Sequence, residues 1–442
     1  MNQHHQEPLI GLATLMRMAY SGVDLGPLGA ELVARAEHNP DDANALMDLS
    51  TVLQLRGNRE IALATQLQAL AIQQIYSPPA AGEAKIKVLA IMAPGDLMTN
   101  TPLEFLLESS DIALDLLYVG SGLPPVTALP DHDVLFIAVG ESDQTLPLLK
   151  ELESVAASWP RPVLNQPERI AQMSRDAACA LLKSTPGVVM PVTLRIDRKT
   201  LQRIGEDGVA ISTVLEDGAF PVIVRPVDSH AGQGLEKLDD AAAITAYLLS
   251  MPQEEFYISR FIDYRAADGL FRKYRIVLID GRPFLCHLAI SQHWMIHYLN
   301  AGMAEKMAEG AEKRAEEAHC MAGFDADFAQ RHAAALRAIH ERAGLDYLGI
   351  DCGESPDGKL LIFEVDSNMI VHAIDPVDVF PYKQPQMQKV FAAFRGMLIG
   401  SVQQAFNQTD RQSSGLFVSA TDSSILASST SNSSSMSLKA SS

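Results

Sequence analysis

Acidic residues two apart on an apolar strand are the clearest chemical signal in this sequence. Leu361-Ile362-Phe363-Glu364-Val365-Asp366-Ser367-Asn368 follows closely on Leu345-Asp346-Tyr347-Leu348-Gly349-Ile350-Asp351. Strand side chains alternate, so Glu364, Asp366 and Asn368 share one face, and Asp351 comes from a partner strand. Carboxylates gathered among apolar neighbours repel one another and are poorly solvated unless a cation compensates them. An all-oxygen set of this size suits Mg²⁺, or Mn²⁺ in its place, completed by water and nucleotide phosphates. The competing reading is acids exposed at a strand end.

A second stretch, Pro221-Val222-Ile223-Val224-Arg225-Pro226, ends an apolar run in a cation, and Val227-Asp228-Ser229-His230-Ala231-Gly232-Gln233-Gly234 follows it. Backbone N–H groups of a glycine loop approach phosphate oxygens closely, and a guanidinium binds two such oxygens at once. Any glycine turn would look similar, so this stretch alone decides nothing. A third stretch is a hairpin rich in polar groups, with Arg272, Lys273, Arg275, His287, Ser291, His293 and His297 on it or just beyond it. Its histidines lack metal-ligand spacing. Neutral, hydrogen-bonded histidines in a substrate pocket fit better than zinc ligands, and Trp294 and Tyr298 read equally well as core.

The elements that must position these groups follow from periodicity. Residues 1–76 show apolar residues at three- and four-residue steps and read as helical. Within 43–76, Leu46, Leu49, Leu53, Gly57, Ala62 and Ala69 fall where a tetratricopeptide repeat places its large, turn and small residues, with Ser50 and Gln66 as departures. One such unit cannot bury its own apolar face. It packs on residues 8–37, on the next domain, on another copy of the chain or on a protein partner. Residues 77–85 read as a linker around Pro78-Pro79. Residues 86–165 alternate short apolar strands with helical or loop stretches, which predicts a small Rossmann-like α/β domain without a GxGxxG fingerprint. Residues 166–400 are mixed, with hairpins signalled by Asp280-Gly281 and Pro356-Asp357-Gly358 and two helices near 302–321 and 325–343. Residues 401–442 are rich in serine, and their composition predicts a disordered tail.

The order of the elements carries more than any one motif. A strand ending in a cation, a glycine loop, Ser259-Arg260-Phe261-Ile262, the polar hairpin and Asp351 with Glu364-x-Asp366-x-Asn368 on a closing hairpin together resemble the ATP-grasp superfamily, over about residues 165–400. The similarity is to carboxylate–amine ligases of the glutathione synthetase and glutamate-adding kind. It implies an α+β ATP-grasp fold preceded by a Rossmann-like pre-grasp domain and, in this chain, by an N-terminal α-helical segment. It also implies nucleotide contacts from Arg225, the loop Gly232, Gln233 and Gly234, the hinge residues Arg260, Phe261 and Ile262, and Arg175. Asp351, Glu364, Asp366 and Asn368 fall at or beside the Mg²⁺ positions, and Arg275 at the arginine that steadies an acyl phosphate. His230, Arg272, His287 and His293 are substrate candidates. The sequence departs from the family where Arg225 replaces a lysine, where Arg175 and Ala177 stand near a second missing lysine, and where Asp366 replaces an asparagine.

Composition bounds the alternatives. The chain has 442 residues, 47% of them hydrophobic and 20% charged, and a net charge of −19. Such acidity argues against a duplex nucleic-acid partner, whose phosphates need many lysines and arginines. No apolar run is long enough for a membrane span, and Cys179, Cys286, Cys320 and Cys352 lack metal spacing. The expectation is a cytoplasmic, ATP-dependent ligase joining a small-molecule or peptide carboxylate to an amine. The other readings are an ATP-grasp phosphotransferase, or a helical-repeat adaptor carrying a degenerate nucleotide domain.

Overall fold

A computed structural model describes residues 7–80, 82–229, 232–296, 301–303 and 308–425, with only the backbone at 308 and 408–425. Four helices open the chain: α1 (Leu12–Tyr20), α2 (Gly26–His38), α3 (Ala43–Leu55) and α4 (Arg59–Ile72). Strand β1 (Ile75–Tyr76) leads to β2 (Ile86–Met92), α5 (Leu103–Leu106), β3 (Ile112–Tyr118), β4 (Val134–Ile137), α6 (Leu146–Ala157) and β5 (Val163–Leu164). These strands form one sheet in the order β1-β3-β2-β4-β5, parallel except for β1. The apolar runs are buried because both sheet faces are covered.

The next elements are α7 (Pro167–Ile170), α8 (Arg175–Leu182), β6 (Val188–Val189), β7 (Thr193–Asp197), α9 (Arg198–Gly205), α10 (Ile211–Val214), β8 (Val222–Pro226), β9 (Glu236–Leu238), α11 (Ala241–Ser250) and β10 (Glu255–Arg260). The chain closes with β11 (Phe271–Ile279), β12 (Arg282–Ser291), α12 (Ala308–Gly323), α13 (Phe328–Arg331), α14 (Ala333–Ala343), β13 (Tyr347–Glu354), β14 (Leu360–Asp366) and α15 (Lys383–Ile425). A four-stranded antiparallel sheet, β7-β10-β8-β9, and a five-stranded sheet, β12-β11-β13-β14-β6, border a common cleft. The arrangement is α+β, two sheets facing each other across a cleft, with the Rossmann-like sheet and the helices before it, as expected from the sequence.

Two differences from the sequence expectation have physical causes. The N-terminal helices end at Ile72, and Ile75–Tyr76 instead pair with Leu117 and Leu116 at the sheet edge. Pro78-Pro79 keeps the chain extended there, and Tyr76 gains a buried place. Helix α15 runs on to Ile425, past the point where composition predicts the tail to begin. Its first turns are anchored by buried Met387, Val390, Phe394 and Leu398, and neither proline nor glycine interrupts 401–414. Residues 426–442 lie outside the described part. The loop before α5 gives that helix no side-chain cap. Asn100 exchanges two hydrogen bonds with the Ala93 backbone, and Thr101 donates to the Ser367 carbonyl.

The α3–α4 hairpin buries its face on α2 and on the Rossmann-like domain. Ser50 donates to the Ala62 carbonyl inside the hairpin, and the Gln66 amide pairs with both backbone groups of Gly95. The two departures from the repeat pattern are thus polar docking contacts.

Helix α1 has no side-chain cap of its own. Asp48 accepts from the Ile10 and Gly11 N–H groups at 2.8 and 3.0 Å, and Glu104 accepts from Ala13 at 3.1 Å. Burial pushes Asp48 up to about 6, and burial together with the charge of Asp48 pushes Glu104 up to about 7. A carboxyl with a raised native pKa binds its proton more tightly folded than unfolded. Its contribution is therefore complete below the unfolded value and is lost as pH rises through the native one, at about 1.4 kcal/mol per pKa unit. The melting temperature is expected to fall by several degrees between pH 5.5 and pH 8. Glu104→Gln should flatten that slope in thermal scans; an unchanged slope would refute the assignment.

Candidate active site

Four ionisable residues lie in one row across the five-stranded sheet. His287 on β12 faces Arg275 on β11, Arg275 faces Asp351 on β13, and Asp351 faces Glu364 on β14. A bulge interrupts the ladder beside this row on both sides. Cys286 is the extra residue after the Arg275–His287 pair, and Phe363 the extra residue beside Asp351–Glu364. Bulges re-aim neighbouring side chains and recur next to active sites. The row borders a cleft of about 610 Å³ between the two sheets.

Asp351 is 1% exposed and fully engaged. Arg275 grips it with two bonds of 2.9 Å, and Lys273 Nζ lies 2.7 Å from Oδ2. Burial opposes ionisation of Asp351, but the two cations outweigh it and hold its pKa well below the usual carboxylate range. Arg175, the first residue of α8, pairs with Glu364 and donates to the Phe363 carbonyl at 3.3 Å. Burial likewise raises Glu364, and Arg175 with Arg225 more than offsets it, so its net shift is downward.

Asp366 behaves differently. Burial first, then the charge of Glu364, pushes it up to about 7. Glu141, in the loop after β4, is also pushed up to about 7 by burial and by Asp228, Asp143, Asp176 and Asp366. Burial and mutual repulsion keep these two carboxyls from ionising, and a divalent cation beside them would relieve both. Among the described residues, no group of three or more His, Cys, Asp and Glu is arranged to hold a metal ion on its own. The donor set of Glu364 and Asp366 therefore fits an ion whose shell is completed by phosphates and water.

On the opposite sheet, Arg225 is buried at the end of β8. It bonds to the hydroxyl of Ser229 at 3.1 Å and to the Ser229 carbonyl. Burial and the nearby Arg175 lower its pKa to about 9. Gly232 borders the cleft and Gln233 is exposed. Gly234 has φ +66°, and a Cβ there would come within 2.8 Å of the Pro226 ring, so only glycine serves. At the far side of this half, Arg260, Phe261 and Ile262 border the cleft. Phe261 meets Trp294 edge-on at 5.6 Å, and Arg260 lies 3.4 Å from Asp217.

Several candidates stand elsewhere. Asn368 donates to the Met98 carbonyl and packs against Gly140, where a Cβ would come within 2.2 Å of its amide. It ties β14 to the Rossmann-like domain and is not among the cleft-lining residues. Arg272 points to Asp268 and Glu316, because adjacent strand residues face opposite ways and Lys273 takes the cleft side. His293 is exposed in the turn after β12, its N–H donating to Ser291. His230, His297 and Tyr298 lie outside the described residues. His287 does border the cleft, with Nδ1 2.5 Å from Glu317.

Lys273 was legible by strand alternation, two residues before Arg275. A second polar cluster was not, because Glu317, Asp375, Tyr382 and Lys383 are far apart in sequence from His287. Glu317, fully buried, accepts from His287, from the Tyr382 hydroxyl at 2.6 Å and from the Leu288 N–H at 3.0 Å, with Lys383 Nζ 3.5 Å away. These partners outweigh burial and hold its pKa near 2.

No protein-family model matches the chain. Among solved structures it is similar to the VanG D-Ala:D-Ser ligase from Enterococcus faecalis, at 14% identity over 73% of this chain and 100% of that one, with a TM-score of 0.43. It is similar to a RimK domain protein ATP-grasp from Sphaerobacter thermophilus, at 18% identity over 71% and 99%, with a TM-score of 0.38. It is also similar to the D-alanine–D-alanine ligase from Bacillus anthracis complexed with ATP, at 12% identity over 71% and 98%, with a TM-score of 0.41.

Proposed function

We propose that the chain is an ATP-dependent carboxylate–amine ligase that works through an acyl phosphate. The observation that carries this reading is the charge layout of the cleft. Arg225 from one sheet, Lys273 and Arg275 from the other and Arg175 from α8 converge on the edge where Glu364 and Asp366 stand. Four cations around a carboxylate pair suit a triphosphate and the phosphoryl group leaving it. The apolar end, with Ile223, Phe261, Ile262 and Trp294, suits a nucleobase.

Glu364 and Asp366 would hold Mg²⁺ or Mn²⁺, which supplies neutralisation of phosphate charge. Arg225 and Arg175 orient the phosphates. Asp351 fixes Arg275 and Lys273 so that both present N–H donors to the transferred group without reorganising. The γ-phosphoryl passes from ATP to a substrate carboxylate oxygen, releasing ADP. An amine then attacks the acyl carbon, the C–O bond to phosphate breaks, and the amine proton leaves to solvent with an amide formed.

ADP release measured with carboxylate and amine pairs tests the reading. Hydroxylamine in place of the amine should trap the acyl phosphate as a hydroxamate. Tight MgATP binding without turnover on any pair would count against it, and a phosphorylated product without amide would favour a phosphotransferase. The hold of Ser229 on Arg225 favours a second reading, in which the nucleotide half is degenerate and the chain is a helical adaptor. Calorimetric titration separates the two, because the adaptor should bind MgATP weakly or not at all.

A further inference from the structure

We propose that the cleft continues past Arg275 into an apolar compartment, walled by α1, the loop between β2 and α5 and the loop after β14, that takes the hydrocarbon part of an aliphatic carboxylate. This rests on the ligase reading and names the class of acid it would activate.

Three segments distant in sequence assemble the wall. Asn368 donates to the Met98 carbonyl and Thr101 to the Ser367 carbonyl, so the two loops are strapped together. Ile370 packs on the apolar cluster of Ala13, Met16 and Phe105, which brings in α1. Met369 lies over Gly349 of β13, where an added Cβ would come within 2.4 Å of the Met369 Cβ. Gly349 stands two residues before Asp351, on the same strand face. The loop after β14 therefore crosses the face on which Asp351 holds Arg275, and Arg275 donates to the Ile370 carbonyl at 3.4 Å. The wall thus begins at the arginine placed at the transferred phosphoryl group. A carboxylate activated there is positioned to lay the rest of its chain along it.

The wall is apolar and adaptable. Met16, Leu97, Met98, Met369, Ile370 and Val371 all border the cleft. Methionine is unbranched and flexible, so three of them follow chains of several lengths. Tyr20 of α1 borders the same cleft while 44% exposed, and so stands at the rim. Its ring lies 5.8 Å from that of His372. Burial, then the charge of Lys383, lowers His372 to about 4, so this imidazole is uncharged near neutrality. Other ionisable groups bordering this end are engaged with acids, Lys383 with Asp375 at 3.2 Å and His287 with Glu317. A charged substrate group would have to displace such pairs, whereas a hydrocarbon chain has only to cover the methionines. Each methylene so buried is worth about fourfold in affinity.

The test uses the full chain, Mg²⁺ and a non-hydrolysable ATP analogue, with acetate, butyrate and hexanoate as probes in calorimetric titration. Hexanoate is expected to bind at least tenfold more tightly than acetate, with butyrate between them. Met98→Gln keeps the side-chain length and the backbone carbonyl that Asn368 holds. It should cut hexanoate affinity several-fold while acetate and the analogue stay within twofold, and Met98→Leu should restore the gain. Equal affinity for acetate and hexanoate, or an undiminished gain in Met98→Gln, overturns the inference. If the analogue binds without any such gain, the ligase reading stands and the compartment falls. If the analogue fails to bind while the gain with chain length persists, the ligase reading falls and the apolar compartment stands.

Discussion

An Arg275→Ala variant is expected to release ADP on the order of 10²–10³ times more slowly than the parent, because a preorganised cation at the phosphoryl group is lost. It should also melt at a lower temperature. Asp351, almost wholly buried, would keep only Lys273 at 2.7 Å of the two cations that hold it ionised. Stripping one partner from a buried ion pair costs about 3–5 kcal/mol, and the remaining lysine reduces that figure here. Adding Asp351→Asn removes the stranded charge. The double variant should therefore regain much of the stability and none of the rate. Recovery of ADP release in the double variant would show that Arg275 serves only to satisfy Asp351.

Glu364→Gln is expected to abolish measurable ADP formation while leaving the melting temperature close to that of the parent. Glutamine keeps the shape of the side chain and an oxygen for Arg175, so packing is little disturbed. What it loses is the negative charge on which both the metal and the arginine depend. Asp366→Asn should be far milder, since an amide oxygen still ligates and the neutral group relieves the crowding with Glu364 that pushes Asp366 up to about 7. Rates and MgATP titrations on the two variants give the comparison. Full activity in Glu364→Gln would remove the basis for the proposed mechanism.

What was legible in the sequence was mostly local. Asp280-Gly281 and Pro356-Asp357-Gly358 mark real hairpins, and the pairing of Asp351 with Glu364 follows from the second of them. Period-two alternation places Glu364 and Asp366 together. The same alternation assigns Lys273 to the side of Arg275 and turns Arg272 away. Asn368 misleads because the strand ends at Asp366, after which alternation no longer governs direction. The cluster of His287, Glu317, Tyr382 and Lys383 was illegible for another reason: three segments distant in sequence meet there, and no period records such a meeting. The serines after residue 401 do not mark where α15 stops, because a well-anchored helix has already met its nucleation cost.

Helix α15 has a consequence for how the molecule is made. Phe394 packs on Phe136 of the Rossmann-like sheet and on Tyr347 of the grasp sheet, and Val390 and Leu398 belong to the same apolar cluster. These residues leave the ribosome after the strands of both sheets, at about 5–20 residues per second. Until they emerge, apolar surface on both sheets stays uncovered, and the cleft between the lobes has no fixed shape. The shape of the cleft thus waits for α15, and a nascent chain halted before residue 390 is a natural client for chaperones.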